Sequence, residues 1–84
     1  METQVIPTFN EFNFSSFKMP MIVVYDHPID CPAYFVARLF DFEKRTKYAI
    51  VANNLDELQE NIPQHFAKLN RQNDDDPAIL EVWI

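Results

Sequence analysis

The chain has 84 residues, room for one small domain with one core, and its formal net charge is −6. An excess of carboxylates disfavours direct binding to nucleic acid and suits a basic partner. Glycine is absent and cysteine occurs once, so phosphate loops, dinucleotide fingerprints and an internal disulfide are all excluded.

The apolar fraction of 48% is that of a globular chain, and no apolar run approaches the length of a membrane span. The first residues, METQVIPTFN, lack a basic region followed by an apolar stretch. A cytoplasmic protein without a secretory signal is therefore expected. Without glycine, left-handed and tight turns are expected at Asn, Asp and Pro.

Residues 1–18 differ from the rest. Phe9, Phe12, Phe14 and Phe17 are spaced 3, 2 and 3 apart, which fits neither a helix stripe nor a strand face. They are read as an arm before a domain spanning 19–84. The arm is expected to fold back on that domain or to dock on a second copy. Left exposed, four phenylalanines would form a sticky patch.

The run MIVVY (21–25) is the first strand. Next comes DHPIDCP (26–32), with two aspartates, a histidine and the cysteine between prolines. His27 and Cys31 each precede a proline and are expected in extended backbone. The segment reads first as a stiff turn. The alternative is a zinc site built on His27 and Cys31, with Asp30 or His65 as further donors. That alternative falls short of a repeated close ligand pair. Cysteine catalysis lacks an orienting partner for the base and a glycine-lined oxyanion hole.

The second strand, AYFVARLFDF (33–42), is apolar on both faces and is read as central. EKRT is read as a four-residue turn into a third strand, KYAIVA (47–52). Asn54 with Glu57 three residues on is a capping-box signature. Asp56, Glu57 and Glu60 enrich the start of a helix whose apolar stripe is Leu55, Leu58 and Ile62. Pro63 ends the helix or opens a short turn through Phe66 and Leu69. An acidic loop, NRQNDDDP (70–77), leads into the last strand, AILEVWI (78–84). Asp74, Asp75 and Asp76 are consecutive and lack the glycine of a calcium loop, so they read as a solvated anionic loop. The order β-β-β-α-β implies an α+β domain, a sheet of about four strands with one helix on one face.

VVYDHPIDCPAYFVARLFDF, VANNLDELQENIP and NDDDPAILEVWI together resemble a group of small bacterial and phage proteins that carry no assigned activity. These share a Tyr-Asp-x-Pro turn, a Phe-Val-x-Arg strand, a helix ending in Ile-Pro and a closing Asp-Asp-Pro…Glu-Val-Trp strand. The likeness covers residues 21–84 and implies a bacterial or phage setting.

Charge adds a direction. Residues 1–52 carry six acidic and five basic side chains, whereas residues 53–84 carry seven acidic and two basic. The expectation is a non-enzymatic binding protein that presents Asp56, Glu57, Glu60, Asp74, Asp75, Asp76 and Glu81 to a basic bacterial protein. In its concrete form the partner is a nucleic-acid-handling enzyme, such as a CRISPR effector nuclease, and the chain an anti-CRISPR-type inhibitor. No cofactor is expected. The alternatives are a zinc-binding protein using the 26–32 turn and a structural or accessory subunit that adds the Phe-rich arm to a partner.

Overall fold

A computed structural model describes residues 3–42, 44–70 and 78–84. The chain forms a small α+β domain, built in the order β1 (Gln4–Val5), β2 (Pro20–Asp26), β3 (Phe35–Asp41), β4 (Lys44–Ala52), α1 (Leu55–Glu60), β5 (Lys68–Asn70) and β6 (Ile79–Trp83). The strands make one six-stranded mixed sheet in the order β1-β4-β3-β2-β6-β5. Neighbours pair antiparallel except β1, which runs parallel to β4.

The expected four strands are the inner four. Strand β3 lies in the middle, as its two apolar faces require. The two extra strands are edges of two and three residues. Runs that short carry no readable alternation, and their pairing is supplied by β4 and β6.

The β3–β4 turn is also tighter than expected. Asp41 pairs with Lys44, so only residues 42 and 43 lie between the strands, and Lys44, Arg45 and Thr46 belong to β4. Among the described residues the left-handed positions are His27 (φ 46°) and Phe42 (φ 62°), not Asn or Asp. His27 thus departs from the extended backbone expected before Pro28. Its ring packs on Phe35, with centroids 4.7 Å apart, and its Nδ1 meets the Asp26 carboxylate. Those contacts offset the left-handed strain.

One face of the sheet carries the core. Ile22 and Val24 of β2, Leu39 of β3 and Ile50 of β4 are buried beneath Leu58 of α1, with Ile62 and Phe66 beyond it. Asn54 caps the helix as read: its backbone is extended and its Oδ1 accepts from Glu57 N at 2.8 Å. Pro63 opens a further turn, closed by Phe66 N donating to Pro63 O at 3.1 Å.

The Phe-rich arm completes this layer. Phe9 N donates to Asn61 O, and the Phe9 ring is fully buried. Phe12 N bonds Phe9 O and Phe17 N bonds Phe14 O, so two successive turns account for the irregular spacing. The turns bring Phe12 against Tyr48 (4.9 Å) and Phe14 against Phe66 (5.3 Å). Burying Phe9 alone contributes about 1.5–3 kcal/mol of transfer free energy. Phe9 thus belongs to the buried core, and Phe12, Phe14 and Phe17 pack against it.

Candidate functional site

Helix α1 is six residues long and stands at one side of the core layer. Its inward side is taken by Leu58, which leaves Asp56, Glu57 and Glu60 exposed. Asp56 and Glu60 are four apart and Glu57 and Glu60 three apart, so the carboxylates are neighbours on the helix surface. None of them forms an ion pair with another described residue. Asp56 and Glu57 sit in the first turn, where the positive end of the helix favours them. Glu60 sits at the negative end, and the last turn has no basic residue. Helix stability does not account for a carboxylate there. The arm adds to this surface: Asn10 Nδ2 donates to Glu60 O at 2.9 Å, which sets exposed Glu11 at the same end of the helix. The sequence alone gave no means of joining Glu11 to residues fifty positions later.

Glu81 does not belong to that surface. The regular β2–β6 register, Ile22 with Trp83 and Val23 with Val82, places it opposite Val24, on the core face, only 6% exposed. Its Oε1 accepts from Gln59 Nε2 at 2.9 Å and from Trp83 Nε1 at 3.0 Å, and Lys68 Nζ lies 3.9 Å from Oε2. The carboxylate expected to meet a partner is a buried acceptor, because it shares the core-side face of β6 with Trp83, opposite Val24. Asp74, Asp75 and Asp76 lie outside the described residues.

The 26–32 segment is a turn anchored to the other face of the sheet. Cys31 N donates to Pro28 O at 2.9 Å. Asp30 bonds the guanidinium of Arg38, a side chain only 8% exposed, and approaches Arg45 at 3.6 Å. Arg38 also donates to Thr3 Oγ1 at 3.0 Å. Asp30 therefore neutralises a buried cation. His65 packs on Phe14 and Phe66, on the core side. Among the described residues no three His, Cys, Asp or Glu side chains gather as a metal ion requires, so His27 and Cys31 gain no third donor there.

One surface escaped the sequence reading. The sheet face opposite α1 is open over β3, β2 and β6, where Met21, Tyr25, Phe40, Ile79 and Val82 line a groove of about 510 Å3 closed at one end by Phe42. Its signal was the unbroken apolar run of β2, which demands cover on both faces although the described residues supply one helix.

No family model, curated protein or solved structure matches the chain. No described helix is long and apolar enough to cross a membrane.

Proposed function

We propose that this chain is a non-catalytic binding protein that sets the carboxylates of α1 against a basic, nucleic-acid-binding surface of a bacterial protein and inhibits it, in the manner of an anti-CRISPR protein. The observation that carries the reading is the exposed trio Asp56, Glu57 and Glu60, unpaired among the described residues and ending in a carboxylate at the wrong pole of its helix. A phosphate-binding surface is lined with Lys and Arg, and such carboxylates occupy it at the expense of nucleic acid. Asp74, Asp75 and Asp76 add three more anions to the same chain.

The test is DNA cleavage by CRISPR effector nucleases with rising amounts of the protein. Inhibition is expected to weaken as salt rises, and to fall about tenfold when Asp56→Asn, Glu57→Gln and Glu60→Gln are combined. Inhibition indifferent to both, or none against any effector tried, overturns the reading.

A further inference from the structure

Arg38 is a charged side chain in the middle of the sheet, on the face opposite α1, and it is only 6% exposed. Register places it in one row with Val23, Ala49 and Val5. Two segments far apart in sequence reach over it. Its Nη1 donates to Thr3 Oγ1 at 3.0 Å, just ahead of β1, and its Nη2 donates to the Asp30 carboxylate in the 26–32 turn. Arg45 stands 3.6 Å from the same carboxylate, so one anion serves two guanidiniums. Asp30 and Arg38 also line two cavities, of about 300 and 270 Å3, and their ion pair forms part of the wall of both.

Neither segment is held strongly by its own backbone. Strand β1 is a two-residue edge with one neighbour. The turn holds His27 at φ 46° ahead of a proline, a backbone state that costs free energy. Suppose that Asp30 leaves. Arg38 then faces a neutral hydroxyl and a second guanidinium in a site that water barely reaches. A cation so placed turns outward to be hydrated, and its bond to Thr3 breaks as it does. The converse also holds. Lifting Thr3 admits water to the guanidinium and weakens its attraction for Asp30.

We infer that Arg38 couples the two segments, so that residues 3–6 and the 26–32 turn open and close as one strap over this end of the sheet. Opening uncovers Val36, which is 1% exposed in the closed form, and leaves Arg38 and Arg45 without their shared carboxylate. The strap lies on the opposite side of the sheet from α1, so it is independent of the carboxylate reading.

Amide hydrogen exchange on the full chain tests this, where rates follow the opening equilibrium. Two amides report on the strap: Ile6 N, bonded to Ala49 O at 2.9 Å, and Cys31 N, bonded to Pro28 O at 2.9 Å. Both are expected to exchange faster than Leu39 in the central strand. Asp30→Asn keeps the size and an acceptor oxygen but removes the charge. It is expected to speed Ile6 and Cys31 by a common factor of at least about tenfold. Ala67 N, bonded to Ile84 O across the β5 edge, should keep its rate. Thr3→Val should speed Cys31 severalfold although it lies in the other segment. In an Arg38→Met background, which removes the buried charge, adding Asp30→Asn should change both reporters by less than about twofold. A merely structural loosening would persist there, and such persistence overturns the proposal. So does acceleration of Cys31 with Ile6 unmoved, which would mean that the turn opens alone. Exchange of both reporters at the rate of Leu39 overturns it as well, since the strap would then open only with the whole fold.

Discussion

Replacing Glu81 with alanine leaves Gln59 Nε2 and Trp83 Nε1 without their acceptor in a partly buried site. Donors that lose a charged acceptor cost roughly 1.5–3 kcal/mol, so Glu81→Ala should lower the unfolding free energy by that much, read as a lower urea midpoint at unchanged slope. Glu81→Gln keeps an acceptor oxygen at the same reach and should lose less. Equal losses for the two would place the contribution of Glu81 in its packing. Phe42 makes the opposite case. Its φ of 62° is unfavourable for a bulky side chain. Asparagine tolerates that region, so Phe42→Asn should stabilise the protein by about 0.5–1 kcal/mol in the same measurement. The natural residue would then be one that weakens the fold and serves a surface, and an unchanged or lowered stability would remove that argument.

At the scale of elements, the arm is where deletion should be felt most. Phe9 is fully buried between the sheet and the end of α1, and truncating such a ring costs about 3–5 kcal/mol, so Phe9→Ala should bring a domain of this size close to unfolding in a thermal melt. Phe17→Ala, at a half-buried ring, should cost clearly less. The elements legible in the sequence were those with a local cause: the β-branched run of β2, the doubly apolar β3, and the Asn54 cap with its Leu58 stripe. What stayed hidden depends on partners distant in the chain. Strand β1 exists because Gln4 and Val5 lie beside Tyr48 and Ala49, and β5 because Lys68 to Asn70 meet β6. The candidate site divides the same way. Asp56, Glu57 and Glu60 were readable from helical spacing, whereas the inward position of Glu81 follows from its pairing with Val24 across the sheet, and the open groove from the lack of a second covering layer among the described residues.

For the molecule as a whole, the sheet order sets how stability is distributed. Strands β2 and β3 run for seven residues each and are paired on both sides, and their inward residues Ile22, Val24 and Leu39 are fully buried. Strands β1 and β5 are short edges with one neighbour. Helix α1, at six residues, is far below the roughly 12–15 needed for an isolated helix to persist, so it stands by packing Leu58 on the sheet. Amide hydrogen exchange should show three tiers. Ile22, Val24, Ala37 and Leu39 should exchange only through global unfolding, and α1 at a rate set by the release of Leu58. The β5 amides should exchange through local fraying. Phe9 N, bonded to Asn61 O, decides where the arm belongs. Its ring cannot leave without opening the core, so this amide should exchange with the central strands despite lying near the chain terminus. Exchange of Phe9 at the rate of the β5 edge would mean that the arm opens on its own, and that the core beneath it is stable without it.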